Sequence, residues 1–191
     1  MPTPDAAVIR EVRASCALIA DDPTRLSEAF YQYLFTPLPG LRAMFAPEMA
    51  DQHRKMGQAL MEIVQFLDHP DLLRPYLYRL GALHGGALGV RPEHYPYAGR
   101  ALVQAVRDLS PAWSSITASS WVLVYEWVSA MMLAGAESAR AAQAGADAVR
   151  AAQTGARADT VVAPRQRPWR ETYPRDDTEV AYLRAGQHRR L

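Results

Sequence analysis

The residues of this chain best placed to do chemistry lie in Leu83-His84-Gly85-Gly86-Ala87-Leu88-Gly89-Val90-Arg91-Pro92-Glu93-His94-Tyr95-Pro96. Leu73, Leu77 and Leu80 precede His84 at helical spacing, so the imidazole points the same way as the leucines, into the protein. An imidazole at the edge of an apolar cavity can ligate a metal or a haem iron. The same residue also reads as a hydrogen-bonded core histidine, because buried polar groups are normally satisfied. Further candidates lie upstream. Tyr31 is in mid-helix in Ala29-Phe30-Tyr31-Gln32-Tyr33, Phe45 follows a proline turn, and Gln52 and Met56 are four apart on one helix face. Each has a plainer reading: Tyr31 as a core tyrosine, Gln52 as a solvated helix residue, Phe45 and Met56 as ordinary core, Tyr95 as packing at a helix start. His53, His69, His94 and His188 are assigned to the surface or to local caps, with His53 turned about 100° away from Gln52. Cys16 reads as inert core.

The elements that must position these residues are helices, with almost no strand signal in the first two-thirds of the chain. Asp5 caps a helix to about Ala20, and a second runs from Thr24 to Phe35. Pro37 and Pro39 force a turn, followed by a short helix from Leu41 to Phe45. Pro47 opens a longer helix to about Leu67, and His69-Pro70-Asp71 breaks it before Leu72 to His84. Beyond the glycine-rich corner a helix runs from Pro92 to Leu109, with its prolines in the first turn, where backbone N–H groups lack intrahelical acceptors. The last core helix extends from Trp113 past Leu133, with Trp113, Trp121, Tyr125, Val128 and Met132 mostly on one side. This pattern predicts an all-α fold with globin-like or bundle packing. The expected division is a core domain over residues 1–138, a helical extension or linker over 139–163, and a flexible tail over 164–191. The extension holds a repeated Arg-Ala-Ala-Gln motif within Arg140 to Gly155; alanine favours helix but buries little, and Gly145 and Gly155 weaken it.

Composition narrows the function. The chain has 191 residues, 49% hydrophobic and 21% charged, enough to bury a core. A net charge of +1 lacks the concentrated basic face that nucleic acid requires. Cys16 stands alone, so neither an internal disulfide nor a cysteine zinc site can form. Met1 to Arg13 shows no signal-peptide core, and the apolar run Trp121 to Ala136 is read as too short to span a bilayer and contains Glu126. A cytoplasmic protein, not bound to membranes, is expected.

Taken in order, Phe30-Tyr31, Phe45, Gln52 with Met56, Pro75 to His84, Gly89-Val90-Arg91-Pro92-Glu93-His94-Tyr95-Pro96 with Gly99, and Trp121 with Tyr125 resemble the bacterial globins of the flavohaemoglobin family, including its single-domain members. The resemblance covers roughly residues 5 to 137 and implies a globin fold, a three-on-three helical sandwich, holding one haem b. It implies His84 as proximal iron ligand, Phe45 on the porphyrin face, and Tyr31 and Gln52 as distal donors to bound O2, on which negative charge develops. Met56 becomes a wall of the gas pocket, Lys55 reaches a haem propionate, and Tyr95 helps to orient His84. Two departures stand out. One extra residue lies between His84 and Tyr95, and Ala136 occupies the place of the family's proximal glutamate, with Glu137 one residue on. The implied function is reversible O2 binding for carriage, storage or delivery. The alternatives are nitric oxide dioxygenation with a separate flavin reductase, and a haem-based gas sensor or interaction protein. O2, NO and CO are the ligands implied, and a homodimer is allowed. Pro168-Trp169-Arg170 with Asp176 to Leu183 resembles the opening strand of the reductase module found in full-length relatives.

Overall fold

The computed structural model describes residues 2–154, apart from 18, 20 and 21. The tail, with Pro168-Trp169-Arg170, Asp176 to Leu183 and His188, lies outside the described residues. Those described form helices and connecting turns without a strand.

Helix α1 spans Ala6–Ala17. Asp5 Oδ1 accepts the backbone N–H groups of Ala7 and Val8, both at 2.9 Å, and so caps the helix as expected. The helix ends before Ala20 because the chain leaves it in two tight turns, Ile19 N–H to Cys16 O and Asp22 N–H to Ile19 O. Helix α2 is Pro23–Phe35, with Asp22 as its N-cap and Pro23 in the first turn. A 3-10 turn, Pro39–Met44, replaces the short helix expected over Leu41 to Phe45. Helix α3 is Ala50–Gln65, shorter than the Pro47 to Leu67 expected. Helix α4, Pro70–Gly85, takes in Pro70 at its first turn, where that residue starts a helix rather than breaking one. A short 3-10 turn, Pro92–His94, leads into α5, Tyr95–Leu109.

Helix α6 runs unbroken from Ser115 to Thr154, past the boundary expected at residue 138. Its residues 141–153 are exposed. By length and composition Ser115–Gln153 could cross a membrane, which corrects the shorter Trp121 to Ala136 span. Its large residues are committed inward: Trp121, Val124, Trp127, Met131 and Met132 are buried, and the helix packs on α1, α4 and α5.

The packed pairs define two layers. Helices α1, α3 and α4 face α2, α5 and α6, through α1 on α6, α2 on α3 and α4 on α6. Helices α3 and α4 are consecutive, yet they are not a packed pair. The tightest crossing is α4 on α6. A Cβ added at Gly81 would lie 1.9 Å from Met132 O, and one added at Gly135 would lie 2.1 Å from Tyr78 O. The two backbones touch here because neither glycine carries a side chain. This crossing lies one turn before His84 and fixes the height of the C-terminal end of α4. At the other end, Arg13 of α1 ties down the exit of α3 by donating to Val64 O at 3.2 Å and pairing with Asp68.

Candidate functional site

The capped start of α2 sets the register that turns Tyr31 inward. Tyr31 is 5% exposed, and Gln52, on the facing side of α3, is also 5% exposed. Gln52 Nε2 donates to Tyr31 Oη at 2.7 Å. The Tyr31 ring is held by aromatics: edge-on to Phe30 with centroids 5.0 Å apart, stacked on Phe35 at 5.5 Å, and edge-on to Phe45 at 5.3 Å. Phe45 reaches this place because the 3-10 turn is pinned. Its N–H donates to Arg42 O, and the Arg42 guanidinium donates to Ala46 O at 2.8 Å and Pro47 O at 2.7 Å. Met56 is half-buried against the same core. Lys55 pairs with Asp51 at 3.4 Å. The structure thus brings Tyr31, Gln52 and Phe45 together, with Met56 one turn along α3 from Gln52.

His53 corrects the sequence reading. It is half-buried rather than on the surface, and its ring stands at 84° to that of Tyr31 with centroids 5.3 Å apart. Its Nδ1 is buried without a hydrogen-bond partner among the described residues. A signal for this was available: Met49, His53, Met56 and Leu60 follow the 4-3-4 spacing of one helix stripe.

His84 closes α4. Its Nδ1 lies 2.8 Å from Leu80 O. A carbonyl only accepts, so Nδ1 carries the proton and Nε2 keeps a lone pair. Burial lowers the imidazole pKa below its ordinary range and keeps the ring neutral, although the bond to Leu80 opposes this. This is the protonation state a metal-ligating histidine needs. The orienting hydrogen bond therefore comes from the backbone of its own helix. Tyr95 is buried at the start of α5, and its carbonyl accepts from Tyr125 Oη at 2.5 Å. Burial raises its hydroxyl pKa, against a lowering by the charge of Arg140.

The extra residue after His84 is absorbed in the corner. Leu88 N–H bonds Leu83 O, Val90 N–H bonds His84 O at 2.7 Å, and Gly89 takes φ +66°, a left-handed conformation that glycine adopts without strain. Ala136 is buried against Gly85, where a Cβ would stand 2.7 Å from the Ala136 Cβ, and Glu137 is exposed. His94 caps locally, accepting Arg91 N–H at 3.2 Å. Cys16 is buried, its thiol pushed up to about 12, and so is unreactive.

The chemistry of this donor set suits an iron-bearing macrocycle. A neutral imidazole with a free Nε2 stands on α4, paired hydroxyl and amide groups stand on α2 and α3, and an aromatic wall comes from Phe45. Helices α3 and α4 are not packed together. An open cleft of about 850 Å³ lies between the turn that precedes Phe45 and the loop that follows His84, lined by Pro39, Leu41, Leu88, Arg91 and Tyr97 among others, with Tyr31, Phe45, Gln52, Met56 and His84 outside its lining.

The globin family profile matches residues 28–132, more than half of the chain. An uncharacterized globin-like protein of Aquifex aeolicus is 24% identical over 126 residues, covering 65% of this chain and 88% of its own length. Flavohemoproteins of Chromobacterium violaceum and Rhizobium meliloti are 29% identical over 101 residues and 28% identical over 131. The chain spans only 25% and 32% of their lengths. Among solved structures, a bacterial globin from Campylobacter jejuni matches with a TM-score of 0.63 at 20% identity, over 70% of this chain and 97% of its own. That likeness extends to the fold. The chain belongs to the globin family.

Proposed function

We propose that the chain holds one haem b through His84 and binds O2 reversibly beside Tyr31 and Gln52. The buried Gln52–Tyr31 hydrogen bond carries this reading. It is a polar pair kept inside an aromatic cage, where unsatisfied donors are costly and pre-aimed ones are effective. When bound, haem supplies an iron centre with one position open to a diatomic gas. His84 offers Nε2 to the iron, because Leu80 O fixes its tautomer and the α4–α6 crossing fixes its height. Tyr31 and Gln52 donate to negative charge that gathers on the gas. Phe45 and Met56 exclude water from that side. The sole cysteine, Cys16, leaves no Cys-x-x-Cys-His attachment, which supports a non-covalent haem. With Ala136 in place of a carboxylate, His84 receives no anionic partner to raise its basicity. This favours reversible binding over nitric oxide dioxygenation, which further requires electrons from a separate flavin reductase.

The test is the absorption spectrum of the purified chain with added haem, before and after His84→Ala. The wild type is expected to give a Soret band that shifts on reduction and CO addition. His84→Ala is expected to lose it, and His84→Gly to lose it and regain it with free imidazole. A mutant spectrum identical to that of the wild type overturns the assignment of His84.

A further inference from the structure

The aromatic cage of Tyr31 has four walls, and three are hydrocarbon: Phe30, Phe35 and Phe45. The fourth is the imidazole of His53, perpendicular to the Tyr31 ring. A phenylalanine there would complete the same edge-to-face packing without any polar atom. The imidazole instead buries Nδ1 with no hydrogen-bond partner among the described residues. Such an atom forfeits its hydration without return, and a perpendicular aromatic face compensates only weakly. The orphan nitrogen is not remote from the chemistry, because His53 follows Gln52 directly and touches the ring whose hydroxyl Gln52 holds.

We propose that His53 is a positioning residue of the distal site: it fixes the ring of Tyr31, and its buried nitrogen takes a hydrogen bond only when a small polar guest, water or a diatomic gas, occupies the compartment beside Tyr31 and Gln52. The chain would then have three polar side chains on the gas side, two mutually bonded and one held in reserve. Gln52 controls the Tyr31 hydroxyl, and His53 controls the Tyr31 ring. This inference rests on the haem reading above and adds to it a residue outside the family resemblance.

The full-length chain is loaded with haem and compared with His53→Phe, His53→Gln, Tyr31→Phe and the double variant His53→Phe/Tyr31→Phe. Two properties are read: the C–O stretching band of the carbon monoxide adduct and the O2 dissociation rate. His53→Phe is expected to shift the band and to speed dissociation about three- to tenfold, the worth of one neutral hydrogen bond. His53→Gln, which keeps a polar atom, is expected to stay within about twofold of the wild type on the same scale. In the Tyr31→Phe background the effect of His53→Phe is expected to shrink, because the part of it that comes from positioning the Tyr31 hydroxyl is lost with that hydroxyl. An unchanged band and rate in His53→Phe overturns the proposal, as does strict additivity with Tyr31→Phe. If His53→Phe fails to fold, the 15N signal of His53 Nδ1 in the wild type decides: it moves on CO binding if the proposal holds and stays fixed if it does not. A wild-type chain that takes up no haem overturns the underlying reading instead, and the Soret band in the same samples separates the two failures.

Discussion

Tyr31→Phe removes one oxygen from the most consequential hydrogen bond in the fold, and its effects can be worked out on two scales. The substitution removes only the hydroxyl and keeps the ring contacts with Phe30, Phe35, Phe45 and His53. It takes from Gln52 Nε2 an acceptor at 2.7 Å in a place where Gln52 is 5% exposed. A buried donor deprived of its partner costs about 1–3 kcal/mol, which for a chain of this size lowers the melting temperature by roughly 2–12 °C. On the ligand side, a hydrogen bond to a partly anionic gas is worth about 1.5–3 kcal/mol, so O2 should leave roughly 10- to 150-fold faster. The freed Gln52 amide can turn to the gas and recover part of this, which favours the lower end. Stopped-flow replacement of O2 by CO measures the rate. CO carries little negative charge, so its own dissociation should change far less. Tyr33→Phe is the control, because the Tyr33 hydroxyl donates to Asp108 on the exposed side of α2. An O2 dissociation rate within about twofold of the wild type in a haem-loaded, folded Tyr31→Phe refutes the distal assignment of Tyr31.

Two further predictions concern the scaffold. At Gly81 an added Cβ meets the Met132 carbonyl at 1.9 Å, so Gly81→Ala must separate α4 from α6; it should cost about 1–3 kcal/mol in urea unfolding and weaken haem uptake by displacing His84. Gly145→Ala, with open space around the added carbon, should leave that midpoint unchanged or raise it, and equal destabilisation by both would refute the close-crossing argument. The Arg13 guanidinium holds the Asp68 carboxyl below the usual carboxylate range, partly opposed by burial. A depressed folded pKa gives stability that is present above the unfolded value of about 3.9 and is lost as pH falls through the folded one. Because the pair is half-exposed, Asp68→Asn should cost only about 0.2–1 kcal/mol at pH 7 and less in high salt. The difference from wild type should close as the pH falls below about 4, and a pH-independent gap in urea titrations would contradict this account.

Most of the architecture was legible because it rests on spacing that local chemistry reinforces. Asp5 signalled a helix start, and it caps. His84 was legible for the same reason: its register with Leu73, Leu77 and Leu80 turned it inward, where burial keeps it neutral and Leu80 O fixes its tautomer. The boundaries were less legible. Pro70 reads as a break until its place in a first turn is known, and the alanine-rich stretch after Arg140 reads as frayed until it is seen to continue α6. The α4–α6 contact was not legible at all, since Gly81 and Gly135 have meaning only as a pair and lie in separate helices.

His53 shows why a helical-wheel argument misjudges a site. One step of 100° separates it from Gln52, and that step was taken to mean opposite exposure. The argument holds when the partner is a point. Tyr31 is not a point: its hydroxyl and its ring face are separate targets, several ångströms apart on one rigid side chain. Gln52 meets the first and His53 the second. A helix laid across a buried tyrosine can therefore commit two consecutive residues to the same partner. The reading that fails for His53 succeeds for Glu137, because its neighbour Ala136 meets a glycine. With only backbone opposite, the 100° step carries the carboxylate out to solvent. Glu137 thus turns to solvent while His53 turns to the Tyr31 ring, and the hydrogen bond behind His84 is left to the backbone carbonyl of Leu80.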